Sequence, residues 1–341
     1  MSKGKPAPLL RHILLSALLL AGVVTSTAST HGGFGDDPQA GHFIDEMVQR
    51  HGFDRQWLAG LFAQAQRRDD ILEAISRPAE KTKPWHEYRE IFVNPGRVEG
   101  GVGFWQNNAA ILARAEREFG VDPGVIVAII GVETRYGSHT GRYRVLDALS
   151  TLAFAYPPRS SFFRSELEQF LLLAREEHVA PDQALGSYAG AMGYGQFIPS
   201  SYRNYAVDFD GDGRRDLWNS MDDIIGSVAN YFHRHGWAAG QPVARPAELR
   251  GEAPQALLDE GLKPQRTAGF FAERGITARP PLPADMPAAL LALEASGGPE
   301  YWLTLNNFYV ITRYNRSPMY AMAVYQLSEA IRDAYEQDED I

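Results

Sequence analysis

Residues 122–137 read DPGVIVAIIGVETRYG and decide the fold around them. Asp122 followed by Pro123 is typical of a helix start, because aspartate caps free N–H groups and proline suits the first helical position. The residues from Val125 to Val132 are apolar on every face of this helix. A helix without a polar face must be buried, and Gly137 is suited to the left-handed conformation that ends a helix. We therefore predict a central, buried helix.

Glu133 ends the apolar stretch and is the first candidate for chemistry. Burial disfavours the charged form of a carboxylic acid, so an acid on such a helix can keep its proton near neutral pH. A protonated acid can donate its proton to a leaving oxygen. The alternative is a structural ion pair with Arg135 or another buried cation, and position alone does not decide between the two roles.

Helical spacing of apolar residues recurs on both sides of the central helix. It predicts short amphipathic helices between His42 and Ser76, and a break over the stretch from Pro78 to Gly103, which contains prolines and glycines. Further helices are predicted over residues 107–119, 165–177, 221–235 and 318–335. From Gly240 to Pro299, prolines, glycines and short apolar runs predict a small inserted module of short strands or loops. The predicted fold is therefore mainly α, an α+β protein with a small β-containing part.

Residues 208–214 read DFDGDGR and match the first seven positions of a calcium-binding loop. The side-chain oxygens would come from Asp208, Asp210 and Asp212. The backbone carbonyl of Arg214 would be the next ligand. The match ends at Asn219, which replaces the bidentate glutamate, and Asp222 or Asp223 would fill that position in a longer loop. Hard oxygen ligands favour calcium over zinc or copper, and an empty aspartate-rich turn is the alternative.

Residues 190–199 read GAMGYGQFIP, and their glycines fit neither dinucleotide nor phosphate-loop spacing. We interpret these glycines as allowing close approach of the backbone to a ligand, with Gln196 available for hydrogen bonds; a structural turn is the alternative. Aromatic and amide side chains cluster over residues 306–320. Such clusters are typical of sugar-binding sites, although each aromatic residue taken singly could belong to the core.

The composition excludes several classes of function. The 341 residues include 33 basic and 42 acidic side chains, a net charge of −9, whereas nucleic-acid binding usually requires a basic surface. The chain has no cysteine, which excludes disulfides, thiolate nucleophiles and thiolate metal sites. Neither a Ser-His-Asp order nor an HExxH pair is present.

Residues 1–30 have the pattern of a signal peptide. Lys3, Lys5 and Arg11 precede an uncharged apolar run from Ile13 to Val24. That run is shorter than the ~20 residues that cross a hydrocarbon core. We therefore expect export to the periplasm, and the absence of cysteine argues against a lipoprotein anchor.

Taken together, five segments resemble the family B lytic murein transglycosylases. They are GVETRYG (131–137), AYPPRSSFF (155–163), GSYAGAMGYGQFIPSSY (186–202), DFDGDG (208–213) and NNFYVITRYN (306–315). The resemblance implies a lysozyme-like core, a helical domain and a small β-containing insertion. The corresponding boundaries are an N-terminal helical domain at 31–113, the core with its calcium loop at 114–240, the insertion at 241–298 and a C-terminal helical return at 299–341.

The resemblance implies cleavage of the β-1,4 bond between N-acetylmuramic acid and N-acetylglucosamine in peptidoglycan, with formation of a 1,6-anhydromuramyl end. The family's catalytic acid and base falls on Glu133. Its sugar-contacting positions fall on Tyr88, Arg159, Ser187, Gln196, Tyr231, Tyr314, Asn315 and Tyr320. Its metal ligands fall on Asp208, Asp210, Asp212, Arg214 and Asp222, with calcium bracing the fold and no organic cofactor.

This chain departs from the family pattern at Pro158, where an arginine is frequent, and at Phe162, which lacks an aromatic hydroxyl. Both departures remove hydrogen-bonding groups from one sugar subsite. The expected partners are peptidoglycan glycan strands and other cell-wall enzymes, with no nucleic acid, and we expect a monomer. Two other functions stay open: a catalytically inactive peptidoglycan-binding scaffold and a hydrolytic lysozyme on the same fold.

Overall fold

A computed structural model describes residues 33–76 and 83–339 of the chain. The predicted signal peptide, residues 1–30, lies outside the described residues. Within the described ranges, every helix is too short or too polar to cross a bilayer. The structure is mainly helical with one small β-sheet module, which confirms the predicted fold class.

Six helices form the N-terminal part of the described chain. They are α1 (Pro38–His51), α2 (Arg55–Gln64), α3 (Asp69–Ile75), α4 (Trp85–Phe92), α5 (Pro95–Asn107) and α6 (Ala109–Phe119). Helix α6 ends at residue 119 as predicted, and Gly120 caps it in the left-handed conformation, with φ of 70°. Gly52 ends α1 in the same way.

The break predicted over residues 78–103 is wrong, because α4 lies within this stretch and α5 begins in it. Asn94 caps α5 by accepting a hydrogen bond from the backbone N–H of Arg97 at 3.2 Å. Gly100 and Gly101 of α5 allow close packing instead of breaking the helix. A Cβ at Gly100 would lie 2.8 Å from the ring of Tyr136, so the ring can approach only where a side chain is missing.

The middle of the chain contains five helices and one short antiparallel strand pair. The helices are α7 (Pro123–Thr134), α8 (Val145–Ala155), α9 (Ser160–Glu176), α10 (Pro199–Tyr205) and α11 (Met221–Arg234). The strands are β1 (Tyr143–Arg144) and β2 (Leu185–Gly186). Every residue of α7 from Pro123 to Val132 is buried, as predicted. Helices α5, α6 and α11 surround α7, because its apolar surface must be covered on all sides.

The inserted module is a five-stranded antiparallel sheet. Its strands are β3 (Ala244–Leu249), β4 (Arg266–Thr267), β5 (Ile276–Ala278), β6 (Pro287–Ala295) and β7 (Gly298–Thr304), in the order β4-β6-β7-β3-β5. Two short helices, α12 (Gln255–Leu258) and α13 (Ala268–Ala272), accompany it. Phe271, Ile276, Leu290 and Leu303 belong to its separate small core.

The expected end of the insertion at residue 298 is wrong for the sheet. Strand β7 begins at Gly298 and pairs along its whole length with β6. Burial along β7 does not alternate between successive residues. The sequence therefore lacks the alternation of apolar and polar residues that predicts a half-buried strand.

The chain returns to the helical part through α14 (Asn306–Tyr314) and α15 (Pro318–Glu339). Helix α15 packs against α4, α5 and α7. This return brings residues near the start of α15 to the C-terminal end of the buried helix α7.

Candidate active site

The end of α7 is held in an unusual backbone conformation. At the start of the helix, Asp122 accepts a hydrogen bond from the N–H of Gly124 at 2.8 Å, as its predicted capping role requires. At the other end the prediction of Gly137 as the cap is wrong, because Arg135 takes the left-handed cap position with φ of 51°. Tyr136 and Gly137 follow with φ of 56° and 86°. Positive φ is unfavourable for residues with a side chain, so this turn stores strain directly after Glu133.

Glu133 is half-buried at the end of α7. The hydroxyl group of Tyr320, in the first turn of α15, donates a hydrogen bond to Glu133 Oε1 at 2.5 Å. Arg135, the predicted alternative partner, is exposed. A buried phenol therefore orients the carboxyl group from across the core.

Tyr320 and Tyr314 are both buried. Burial raises the pKa of each hydroxyl well above 10, and the charge of Glu133 raises both pKa values further. Both hydroxyl groups therefore stay protonated at neutral pH and act as hydrogen-bond donors.

Tyr314 links the candidate site to the glycine-rich loop. Its hydroxyl group donates to the carbonyl oxygen of Gly195 at 2.5 Å. Its ring centroid lies 4.7 Å from that of Tyr231. The Tyr231 hydroxyl donates to the carbonyl of Arg313 at 2.6 Å, so it too is occupied within the protein.

The loop carrying Gln196 is fixed against the end of α7. Gln196 has φ of 50°, and its side-chain amide donates to the carbonyls of Thr140 and Gly193 at 3.0 and 2.9 Å. Thr134 Oγ1 donates to the carbonyl of Tyr194 at 2.9 Å. A Cβ at Gly193 would lie 2.2 Å from the carbonyl oxygen of Leu217, so this glycine allows close approach to the protein's own backbone. For Gly193, the structural alternative is therefore the correct one.

Four further predicted sugar contacts have well-defined surroundings. Ser187 is buried, and its Oγ accepts hydrogen bonds from the N–H groups of two neighbouring residues at 3.0 and 3.3 Å. Asn315 is buried, and its Oδ1 accepts from the N–H of Ser317 at 3.0 Å. Tyr88 is fully buried, and its ring centroid lies 5.2 Å from that of Phe92.

Arg159 lies in the short 3₁₀ helix that precedes α9. It is half-buried, and its guanidinium group lies 4.2 Å above the ring of Phe162. Direct contacts thus join Tyr320 to Glu133, and Tyr314 to both Tyr231 and the Gln196 loop. Arg159 and Ser187 contact residues of their own segments.

The predicted calcium loop brings three carboxylates together on the surface. Oxygens of Asp208, Asp210 and Asp212 lie within 4.8 Å of one another. Two ligands of one calcium ion lie at most about 5 Å apart, so this spacing fits calcium. Asp208 also accepts hydrogen bonds from three backbone N–H groups of the loop, at 2.7, 3.1 and 2.9 Å. These backbone hydrogen bonds hold the Asp208 carboxylate within the cluster.

Asp222, the expected late ligand, is not among the three carboxylates that lie within 4.8 Å of one another. Its Oδ1 accepts from the guanidinium group of Arg114 at 3.0 Å. Asp223 accepts from the N–H groups of Phe209 and Asp216 at 2.6 and 2.7 Å, so it braces the loop from inside. The sequence could not show this, because Arg114 lies on α6, far away in the chain.

A family model described as "Transglycosylase SLT domain" matches residues 35–329 of the chain. The matched region includes Glu133, the Gln196 loop, the aspartate cluster and Tyr320. The chain belongs to the transglycosylase SLT domain family.

Relatives of known identity agree with this family assignment. The membrane-bound lytic murein transglycosylase B of Escherichia coli (strain K12) is 49% identical over 309 residues, which cover 88% of this chain and 84% of the relative. The solved structure of the soluble lytic transglycosylase SltB1 from Pseudomonas aeruginosa is 52% identical with a TM-score of 0.83, and covers 88% of this chain and 100% of its own.

Two further solved structures carry ligands. The E. coli lytic transglycosylase Slt35 in complex with calcium is 47% identical with a TM-score of 0.82, over 90% of this chain and 97% of its own. SltB3 from P. aeruginosa in complex with NAG-NAM-pentapeptide is 35% identical with a TM-score of 0.77, over 87% of this chain and 79% of its own.

In this SLT-domain chain, sequence reasoning missed one residue that holds the site together. Thr134 is buried, its Oγ1 donates to the Gln196 loop, and it also accepts from the N–H of Gly137 at 3.1 Å. A hydroxyl residue directly after the candidate acid, in the last turn of an apolar helix, was the available signal. A buried hydroxyl group there must find hydrogen-bond partners in neighbouring segments.

Proposed function

We propose the chemistry by which this chain, a lytic transglycosylase that acts on peptidoglycan, cleaves its substrate. Glu133 serves in turn as the acid and the base. The bond cleaved is the β-1,4 bond between N-acetylmuramic acid and N-acetylglucosamine, and the product carries a 1,6-anhydromuramyl end.

In the first step, Glu133 donates its proton to the glycosidic oxygen. The bond between that oxygen and the muramyl anomeric carbon breaks, and N-acetylglucosamine leaves with a new hydroxyl group. The muramyl N-acetyl oxygen stabilises the anomeric cation, as in substrate-assisted glycosidases, so no second carboxylate is needed.

In the second step, the muramyl 6-hydroxyl oxygen bonds to the anomeric carbon in place of water. Glu133, now a carboxylate, takes the proton from that hydroxyl group. The glutamic acid thereby regains its proton, and the sugar closes its 1,6-anhydro ring.

The observation that carries this proposal is the hydrogen bond from Tyr320 to Glu133 Oε1. A hydrogen bond donated to a carboxylate favours its charged form, so Tyr320 supports the base that acts in the second step. It also limits the rotation of the carboxyl group, which catalysis by a single acid and base requires.

We assign substrate contacts to the residues of the resemblance, with roles that their surroundings permit. The contact residues are Tyr88, Arg159, Ser187, Gln196, Tyr231, Tyr314, Asn315 and Tyr320. Several of their polar groups are occupied within the protein, so Tyr231 and Tyr314 shape the site as supports for the Gln196 loop. Arg159, half-buried and stacked on Phe162, is suited to donate hydrogen bonds to a sugar or a peptide stem.

We also propose that the loop at residues 208–214 binds calcium. The ligands would be the side chains of Asp208, Asp210 and Asp212, the carbonyl of Arg214 and, as the late ligand, Asp222. A relative of this family is known with calcium bound. Phe209 ties the loop to the helical core, with the guanidinium carbon of Arg114 3.6 Å above its ring. Calcium would therefore stabilise the fold and take no part in catalysis.

The proposed place of action is the periplasm. Peptidoglycan lies outside the inner membrane, and the N-terminal pattern of residues 1–30 is that of an exported protein. The partner proposed is the glycan strand, as NAG-NAM-pentapeptide is for a relative. Other cell-wall enzymes are further proposed partners, and a monomer is the proposed state.

Glu133→Gln tests the role of the acid. The variant keeps the shape of the side chain but has no proton to donate, so we expect the same fold, unchanged affinity for NAG-NAM-pentapeptide, and turnover of peptidoglycan reduced by at least about 10³-fold. Circular dichroism, calorimetric titration and release of soluble fragments measure these three properties. Turnover near that of the unmodified chain would rule out the mechanism.

A further inference from the structure

Glu166 is a buried carboxylate that the proposed mechanism does not use. It lies on α9 and is only 4% exposed. It accepts hydrogen bonds from the N–H and the Oγ of Ser200, at 2.9 and 2.8 Å. Burying a carboxylate is costly, and burial raises the pKa of Glu166. Two hydrogen bonds from a single serine do not by themselves account for a buried carboxylate at this position.

Arg159 lies in the 3₁₀ helix directly before α9, the helix that carries Glu166. Residues 162, 163 and 166 share one face of α9, and Arg159 precedes them at helical spacing. The Arg159 guanidinium carbon lies 4.2 and 5.1 Å above the rings of Phe162 and Phe163. Burial lowers the pKa of Arg159, and the charge of Glu166 counteracts that effect. The negative charge of Glu166 therefore favours the guanidinium group in this partly buried position.

Glu166 also holds the loop that carries Gln196. Ser200 is the second residue of α10, four residues after Gln196. The loop is fixed at its other end by the hydrogen bond from Gln196 to Thr140. Glu166 therefore anchors the point at which the loop enters α10.

We propose that Glu166 is a positioning residue that sets Arg159 and the Gln196 loop in one common arrangement for binding the glycan strand. The inference rests on the proposed function, because Arg159 and Gln196 are substrate contacts only there. Glu166 itself does not touch the substrate.

A double-mutant cycle tests this coupling. Affinity for NAG-NAM-pentapeptide is measured calorimetrically in the full chain carrying Glu133→Gln, alone and with Arg159→Ala, Glu166→Gln or both. We expect each single change to weaken binding roughly tenfold, and the double change to weaken it far less than the roughly hundredfold product, because the two residues act together. Losses that multiply would overturn the proposal.

Glu168→Gln is the matched control, because it removes a carboxylate from the same helix. Glu168 pairs with Arg50 and His51, away from Arg159 and Ser200. We expect this change to leave affinity within about twofold. An equal loss of affinity in Glu166→Gln and Glu168→Gln would show that any missing charge on α9 has the same effect, and would also overturn the proposal.

Glu166→Asp provides a second variant if Glu166→Gln fails to fold. It retains the charge, so we expect its affinity for NAG-NAM-pentapeptide to be at least about threefold higher than that of the Arg159→Ala variant. Affinity no better than that of Arg159→Ala, in a folded variant, would contradict the proposal.

Turnover of peptidoglycan by the unmodified chain is measured alongside. Failure of that turnover would refute the proposed function, whereas normal turnover with no effect at Glu166 would refute this inference alone.

Discussion

At the scale of a residue, the chemistry of Glu133 depends on one hydroxyl group. Tyr320→Phe removes only the donor to Glu133 Oε1. A hydrogen bond to a charged group contributes ~1.5–3 kcal/mol, so we expect kcat on peptidoglycan to fall about 10- to 100-fold. The expected loss is in kcat more than in KM, because the bond orients the reacting carboxyl group.

Tyr325→Phe is the control for this change, since it removes a hydroxyl group from the same helix. That hydroxyl donates to the carbonyl of Ala244, in the β module, at 3.1 Å. Steady-state rates of both variants are compared with their urea midpoints. Equal kcat values for Tyr320→Phe and the unmodified chain would contradict the assigned role of Tyr320.

Sequence alone identified Glu133 but not its setting. The carboxylate could be named because it ends an apolar helix, and the resemblance named Tyr320 as a sugar contact. The sequence could not show that Tyr320 contacts Glu133 itself, because the two residues are 187 positions apart. It also could not show that Arg135 and Gln196 take positive φ, which glycine usually takes and which only the packing around them enforces.

At the scale of an element, the end of α7 depends on missing side chains. A Cβ at Gly131 would lie 2.6 Å from the hydroxyl oxygen of Tyr136, whereas one at Gly60 in α2 would meet nothing within 4 Å. We expect Gly131→Ala to lower the free energy of unfolding by about 1–3 kcal/mol, because overpacking displaces the ring.

Gly60→Ala is the matched control, and we expect it to raise the free energy of unfolding by about 0.5–1 kcal/mol, because alanine is the better helix former. Urea titrations of both variants measure the two effects. The same direction of change in both variants would show that contact with Tyr136 is not what makes Gly131 necessary.

The aspartate loop is the second element with a testable role. A ligand that binds only the native state raises stability by RT ln(1 + [L]/Kd), about 2.7 kcal/mol at a hundredfold excess over Kd. We expect added calcium to raise the thermal midpoint and a chelator to reverse the rise. Asp210→Asn should abolish most of the rise, and Asp285→Asn, an exposed aspartate in the β module, should retain it.

No shift of the thermal midpoint between excess calcium and chelator would remove the calcium proposal. The sequence pattern predicted the three clustered aspartates because their spacing is local. The ion pair of Asp222 with Arg114 could not be predicted from the sequence, since it depends on how α6 packs beside α11.

At the scale of the whole molecule, local patterns predicted the helices better than the sheet. The buried helix α7 and the amphipathic helices α9, α11 and α15 follow from apolar periodicity and capping residues. Helix α5 was not predicted, because glycines usually interrupt helices. In this helix Gly100 and Gly101 allow close packing against Tyr136. Strand β7 could not be predicted from the sequence. Its pairing with β6 and β3 determines which of its residues are buried, and this pairing forms only in the tertiary structure.

The whole molecule also explains why one carboxylate can act where many glycosidases use two. Helix α15 returns from the C-terminal region to place Tyr320 against Glu133, and α14 places Tyr314 against the Gln196 loop. The site is therefore assembled from distant segments around a single acid. In the proposed mechanism the muramyl 6-hydroxyl, and not water, attacks the anomeric carbon, with Glu133 as the base.

The mass of the products tests this central claim most directly. Purified peptidoglycan is digested with the unmodified chain, and the soluble fragments are analysed by mass spectrometry. We expect fragments with 1,6-anhydromuramyl ends, each lighter by one water than the fragment with a reducing end. Fragments with reducing ends throughout would show that water attacks the anomeric carbon, and would refute the proposed mechanism.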